Sequence, residues 1–142
     1  MYAKNYGMGK SRFDLDKQWT VEFHEEFLPE FREFTAHVKR ELAARLERLQ
    51  EQGPLLGRPY VDTLKGAKYA NMKELRFDAD GGVWRIAFAF DPERSAILLV
   101  GGDKAGISKD RFYADLIDVA DRRFAQHLTK LRIRQRKGND KI

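Results

Sequence analysis

Three strand-like segments joined by two short turns constrain the fold of this chain most strongly. The first two cover residues 72–78 and 83–90 and are separated by the turn sequence DGG at 80–82; the third covers residues 95–101 and follows DPER at 91–94. Asp-Gly between alternating apolar residues favours a tight hairpin. The near-continuous apolar run of the third segment is typical of a buried strand. We therefore predict a central antiparallel unit of three strands.

Helical stripes flank this unit on both sides along the chain. Apolar residues recur every three or four positions from Phe23 to Leu49, which predicts a helix that ends at Gly53. The stripe leaves open whether this helix is broken in its first turns, near Pro29. A second amphipathic helix is predicted over residues 110–131.

The order of the elements predicts the fold class. Residues 18–23 alternate as a short strand, and residues 53–71 form a connection long enough to suggest a functional loop. Strand, helix, three strands and helix predict an α+β fold: a small, mainly antiparallel sheet with helices packed on one face. The length of 142 residues fits one domain, 1–142. We expect residues 1–16 to form an irregular arm and residues 130–142, called here the basic tail, to lie outside the packed body.

Composition excludes several classes of site and structure. The chain has no cysteine, which excludes a disulfide framework, an iron–sulfur site and a thiol nucleophile. Its three histidines match no metal spacing, so no metal or other cofactor is predicted. No apolar run approaches the roughly 18 residues of a membrane span, and the N-terminus lacks the apolar core of a secretory signal. We therefore predict a cytoplasmic protein without membrane contact.

The excess positive charge is concentrated at one end of the chain. The net charge is +5, and residues 130–142 contain six basic residues and one acidic residue, which accounts for the whole excess. Such a segment favours contact with a polyanion, here through Arg132, Arg134 and Arg136. The alternative is a solvated tail that contributes only solubility.

A second group of charges follows from alternation along the strands. The large apolar residues of 83–90 must face the helices, so Arg76 and Arg85 project together from the opposite face, beside two alanines that leave space. Arginine binds phosphate oxygens in pairs and lysine adds a compact charge, so this cluster predicts a phosphodiester ligand. The alternative is an ordinary solvated or Glu74-paired sheet face. We expect four more charged residues there: Glu74, Lys65, Lys68 and Lys104.

Three segments together resemble a known family. They are LKGAKYANMKELRF, WRIAFAFDPERSAILLVGGDKAG and RFYADLIDVADRRFAQHL, and they resemble the RelE/ParE toxin superfamily, in particular its phage-related, HigB-like branch, from about Trp19 to about Leu128. The resemblance implies a RelE-like fold and the toxin of a type II toxin–antitoxin module. It further implies a metal-independent endoribonuclease (an mRNA interferase) that blocks translation by cleaving mRNA on the ribosome. In that chemistry the 2′-hydroxyl attacks the adjacent phosphate.

The resemblance also assigns roles to individual residues. Arg76 matches an arginine that stabilises charge on the phosphate, and Lys104 and Tyr113 match a basic residue and a tyrosine of some relatives' active sites. Glu74 is expected to orient Arg76. The general base is not identified; a lysine or Tyr113 is the expectation. The catalytic candidates are Arg76, Arg85, Lys104, Tyr113 and Glu74, and the RNA-binding candidates are Lys65, Lys68, Arg132, Arg134 and Arg136.

The resemblance implies partners and leaves alternatives open. A cognate antitoxin, often of the helix-turn-helix type, is expected to form a hetero-oligomer with the toxin, and mRNA and the ribosome are the expected targets. One alternative is a ParE-like inhibitor of DNA gyrase that cleaves no RNA. Another is an inactive relative that binds only its antitoxin or nucleic acid. Fold alone does not separate these readings, but cations that converge on a phosphate favour the nuclease.

Overall fold

A mixed sheet with helices on both faces organises the protein. The computed structural model describes residues 19–140, with side chains through residue 138, so the predicted arm at 1–16 lies outside the described residues. The described elements are β1 (Thr20–Phe23), α1 (Phe27–Arg32), α2 (Ala36–Gln52), a 3-10 turn (Gly53–Leu55), β2 (Val61–Thr63), β3 (Met72–Ala79), β4 (Gly82–Phe90), β5 (Ser95–Asp103) and α3 (Lys109–Asp140).

The sheet confirms the predicted antiparallel centre. Its strand order is β1-β5-β4-β3-β2, and β3, β4 and β5 pair antiparallel as their turns require. The N-terminal strand β1 pairs parallel to β5. In the β3–β4 register Arg76 lies directly opposite Arg85, so the two arginines are cross-strand neighbours.

The predicted helical stripe packs on one face of the sheet, called here the first face. Two helices form it, because the chain turns between Arg32 and Ala36 and α2 restarts with Thr35 as its N-cap, whose hydroxyl accepts from the Val38 amide at 3.2 Å. Their apolar residues pack against the large side chains of the sheet, among them Ile86 and Phe88, which are fully buried. The predicted direction of these strand side chains is therefore confirmed.

The second face corrects the prediction that helices cover one face alone. Helix α3 packs there on Ala87 and Ala89, which are fully buried, through residues such as Phe112 and Phe124. The short alanine side chains lower the sheet surface and let a helix approach closely. The space that the sequence suggested beside Arg85 is therefore occupied by α3, and the open part of this face is confined to the margin near the start of that helix.

Two segments differ from their predicted form. The connection 53–71 contains the short edge strand β2, which pairs with β3 and brings Asp62 opposite Glu74. Helix α3 continues to Asp140, so the predicted helix end at residue 131 was wrong and most of the basic tail is helical. The apolar stripe ends at Leu131 because packing ends there, whereas the backbone hydrogen bonding continues. No helix within residues 19–140 combines the length and apolarity needed to span a membrane.

Candidate active site

A pocket of about 510 Å³ opens at the margin of the second face. Three parts of the chain form it: the β2–β3 edge with the loop before it, the end of β5, and the first turns of α3. Cations outnumber acids in its lining, which makes it electropositive. The cations are Arg58, Lys65, Arg76, Lys104 and Lys109, and the acids are Asp62, Glu74 and Asp110.

A buried hydrogen-bonded network forms the floor of the pocket. The Tyr113 hydroxyl donates to Glu74 Oε1 at 2.7 Å and accepts from Arg85 Nε at 3.3 Å, while Arg85 Nε lies 3.7 Å from the same carboxylate oxygen. Glu74 and Arg85 are each only 6% exposed. Arg85 Nη1 also donates to the carbonyl of Trp84 at 2.9 Å. Arg85 therefore neutralises Glu74 from within the protein.

Burial, reinforced by the hydrogen bond to Glu74, raises the pKa of Tyr113 above its usual value. The hydroxyl of Tyr113 is consequently protonated at neutral pH and directs its proton to the carboxylate. The network thus fixes the tyrosine ring and the carboxylate in one arrangement, above which the exposed cations stand.

Arg76 is the arginine that reaches the open pocket. Its side chain is 33% exposed, and its nearest carboxylate oxygen, Asp62 Oδ2, lies 3.9 Å from Nη1. That oxygen also accepts from Arg58 Nη2 at 2.8 Å and from Arg58 Nε at 3.1 Å. Hydrogen bonds from Arg58, and then from the Thr63 amide, hold the pKa of Asp62 below its usual value. Arg76 therefore has donors left over for an incoming anion.

Lys104 also lines the pocket, directly after β5. The end of β5 positions it, since its amide donates to the carbonyl of Val83 at 2.8 Å. Its ammonium lies 5.8 Å from the centre of the Tyr113 ring. Burial, and then the positive charges of Arg85 and Arg76, lower the pKa of Lys104 from its usual value. A lysine in this state gives up its proton more readily than a solvated one.

The structure brings together most, though not all, of the predicted site residues. Glu74, Arg76, Lys104, Tyr113 and Lys65 line the pocket, and Arg85 lies in its floor. The other predicted residues lie elsewhere. Lys68 is outside the pocket lining: its amide donates to the Asp121 carboxylate at 3.0 Å, and its ammonium lies over the Tyr69 ring. The arginines of the basic tail, Arg132, Arg134 and Arg136, follow Tyr113 on α3 by about 30 Å of helix.

Sequence reasoning missed four charged residues of the pocket. Arg58 and Asp62 belong to the long connection 53–71, from which only Lys65 and Lys68 had been chosen as candidates. Lys109 and Asp110 stand in the first turn of α3, and Lys109 precedes Tyr113 by four positions, so the two share a helix face. That spacing was the available signal. Within the described residues, no group of three or more potential ligands among His, Asp and Glu is arranged to hold a metal ion.

Comparison with known protein families shows to which family the chain belongs. The family described as "Phage derived protein Gp49-like (DUF891)" matches residues 29–125, more than half of the sequence. The chain belongs to the Gp49-like family. The matched region of this Gp49-like protein contains all five catalytic candidates: Glu74, Arg76, Arg85, Lys104 and Tyr113.

Individual relatives confirm the HigB-like resemblance. The Gp49-like protein is 48% identical over 100 residues to HigB2 of Mycobacterium tuberculosis, named as a candidate toxin, with 66% of this chain and 49% of HigB2 covered. It is 53% identical over 78 residues to HigB3 of the same organism, also named as a candidate toxin, with 55% of this chain and 66% of HigB3 covered. The chain thus matches about half the length of the first and about two thirds of the second.

A solved structure confirms the predicted fold. A double mutant of the Escherichia coli toxin RelE in the free state matches with a TM-score of 0.50 over 70% of this chain and 94% of that chain. The sequence identity is 15%, so the match establishes a RelE-like fold alone.

Proposed function

We propose that this Gp49-like protein is the toxin of a type II toxin–antitoxin module and an endoribonuclease that cleaves mRNA on the ribosome. The observation that carries the proposal is the convergence of Arg76 and Lys104 on one pocket, above a buried network that already neutralises Glu74. The similarity to HigB2 and HigB3 supports the toxin assignment, and the RelE-like fold agrees with it.

The two partly exposed cations, Arg76 and Lys104, suit a phosphate that gains charge. Arg76 donates to the non-bridging oxygens of the scissile phosphate, since Asp62 engages it only at 3.9 Å. Lys104 faces the same phosphate from the end of β5, next to the Tyr113 ring. Cations that are already positioned before the reaction stabilise the additional negative charge of a pentacoordinate phosphorus without reorganisation.

The reaction itself needs one bond made and one broken. The 2′-oxygen of the ribose bonds to phosphorus and its proton passes to water, while the bond from phosphorus to the 5′-oxygen breaks. The Lys104 ammonium gives its proton to that 5′-oxygen and regains one from water; its lowered pKa suits this role. The products are a 2′,3′-cyclic phosphate and a 5′-hydroxyl.

The floor residues act by positioning. Arg85 is buried and bonded to Tyr113 and to the Trp84 carbonyl, so it supports the pocket without touching RNA. Glu74 accepts from Tyr113, whose raised pKa keeps the hydroxyl protonated at neutral pH, so Tyr113 is not available as a base. Lys65 extends the cationic lining toward the flanking nucleotides. Of the two kinds of group expected to transfer protons, a lysine or Tyr113, the proposal thus chooses a lysine, Lys104, and gives it the role of acid.

The proposed function implies partners and a location. A cognate antitoxin neutralises the toxin in a hetero-oligomer, and the targets, mRNA and ribosomes, are cytoplasmic. The electropositive pocket gives an acidic segment of the antitoxin an obvious place to bind and block access. Co-expression of the cognate antitoxin is therefore expected to abolish toxicity.

Induced expression in a bacterial host tests the proposal. Wild type is compared with Arg76→Ala combined with Lys104→Ala, while growth and mRNA 5′-ends are followed together. We expect growth arrest with new cuts in translated mRNA, both lost in the double variant. The matched control is Arg40→Ala with Arg122→Ala, which removes two exposed charges outside the pocket and is expected to remain toxic.

Two results would contradict the nuclease. Arrest with intact mRNA would favour the gyrase-inhibitor alternative, which relaxation and supercoiling assays with purified gyrase would then examine. Absence of arrest, from a protein whose circular dichroism shows that it is folded, would favour the inactive relative that only binds.

A further inference from the structure

Helix α3 continues for two turns beyond the packed body. Leu131 is its last buried residue among those described, at 3% exposure, and every residue from 132 to 138 is exposed. Protein helices gain most of their stability from burial of an apolar face. Among the described residues this end of the helix buries no side chain, although Gln135 donates to Glu93 at 3.1 Å and Ile133 and Arg134 line a shallow pocket beside β1. The rest of its surface is open to a partner.

The exposed turns carry cations on two opposite rows. At about 100° per residue, Arg132 and Arg136 share one side of the helix, and Arg134 and Lys137 share a side roughly opposite. Within residues 19–138 no carboxylate lies within ion-pair distance of these four side chains. The charges are therefore not neutralised by the described part of the protein itself.

We propose that this end of α3 binds double-helical RNA, with its two basic rows on the phosphates of the two strands that line a groove. Phosphate contacts by lysine and arginine supply most of the sequence-independent affinity for nucleic acid, and double-stranded RNA is recognised chiefly through its shape and backbone. The choice of RNA rests on the proposed function. A structured segment, as in ribosomal RNA, is the ligand, and the cleaved strand is not.

A protein partner fits this surface less well. A helix that docks in a protein groove presents apolar anchors three, four and seven positions apart. The exposed turns offer Ile133 alone, at 46% exposure. Rows of cations without an apolar row between them match a phosphate surface.

Distance makes this contact separate from the pocket. The tail arginines lie about 30 Å of helix beyond Tyr113, so they cannot share a phosphate with Arg76 or Lys104. The pocket binds the strand that is cut, and the end of α3 holds the folded RNA beside it.

Fluorescence anisotropy with labelled RNA tests the inference without any need for cleavage. The probes are an RNA duplex of about 16 base pairs and one of its strands alone, measured across a salt series. The parent protein carries Arg76→Ala and Lys104→Ala, so the pocket contributes little and the RNA stays intact. The test variant adds Arg132→Gln, Arg134→Gln and Arg136→Gln; glutamine keeps the helix propensity.

We expect the test variant to bind the duplex roughly tenfold or more weakly at low salt, with a salt slope reduced by about two to three. The parent should prefer the duplex to the single strand. A control with Arg32→Gln, Arg40→Gln and Arg122→Gln removes the same charge from other exposed positions and should bind like the parent. Equal loss in the control, unchanged binding in the test variant, or preference for the single strand would each overturn the inference. If the protein with an unmutated pocket binds the duplex but does not cleave mRNA, that result would instead count against the proposed function alone.

Discussion

Removal of the Tyr113 hydroxyl tests the assignment of the pocket floor. Tyr113→Phe keeps the aromatic ring beside Phe112 and Lys104 and deletes one oxygen. That oxygen donates to Glu74 at 2.7 Å and accepts from Arg85 at 3.3 Å. Among the described residues of the pocket floor, Glu74 would then keep only the contact with Arg85 Nε at 3.7 Å.

The magnitude follows from these two contacts. A hydrogen bond to a charged group contributes about 1.5–3 kcal/mol, and the long bond from Arg85 adds little. We expect the free energy of unfolding to fall by about 2 kcal/mol, which for a domain of this size lowers Tm by about 6 °C. Urea denaturation followed by tryptophan fluorescence measures the change.

Tyr69→Phe supplies the matched control. It deletes the same atom, its ring packs edge-on against Phe124, and its hydroxyl makes no hydrogen bond to the described residues. The control should therefore change stability by less than about 0.5 kcal/mol. Tyr113→Phe should also retain the alkaline decline in cleavage rate, because Lys104 is the proposed proton donor. A Tyr113 variant as stable as the control, or one that loses the alkaline decline, would refute this reasoning.

Three further outcomes are expected. The proposed acid Lys104 must be protonated, so kcat should decline as pH rises through its lowered pKa; Arg76→Gln removes one cause of that lowering and should move the decline to higher pH in a pH–rate profile. Ala87→Leu inserts three carbons beneath α3 and should cost about 2 kcal/mol in urea unfolding. Hydrogen bonds from Thr35 and His37 lower the pKa of Asp80, so wild-type stability should fall as pH drops below about 4, and Asp80→Asn should flatten that acid limb.

Local patterns were sufficient for the centre of the fold. Alternation and the DGG and DPER turns predicted β3, β4 and β5 to within two residues, because each signal acts between neighbours in sequence. They also predicted that Ile86 and Phe88 face a helix. What they did not predict was a second helical layer. Ala87 and Ala89 were interpreted as leaving open space on the sheet. Small side chains are equally compatible with an open sheet face and with a face on which a helix packs closely, as α3 does here.

The site residues likewise divide into those that local patterns predicted and those that depend on distant parts of the chain. Alternation along β3 brought Glu74 and Arg76 to one face, and the pocket contains both. The burial of Arg85 depends on Tyr113, 28 positions later in the chain, whose approach no local pattern encodes. Arg58 precedes β2 and is held in the pocket by Asp62 of that strand, which has three residues and is too short to show a period.

The basic tail shows the limit of periodicity itself. An apolar stripe reports which residues are buried, and the stripe ends at Leu131. The helix itself does not end there: residues 132–140 continue it, although none of their described side chains is buried. The length of α3 was therefore underestimated while its packed portion was predicted.

The chemical nature of the cut RNA ends tests the central claim most directly. Purified wild-type protein is incubated with ribosomes paused on a defined mRNA, with and without EDTA, and both new ends are identified. The account predicts a 2′,3′-cyclic phosphate and a 5′-hydroxyl at a cut in the decoded region, with and without the chelator, and no cut with Lys104→Ala. Intact mRNA, cleavage that Lys104→Ala leaves unchanged, or ends of the opposite type would contradict it.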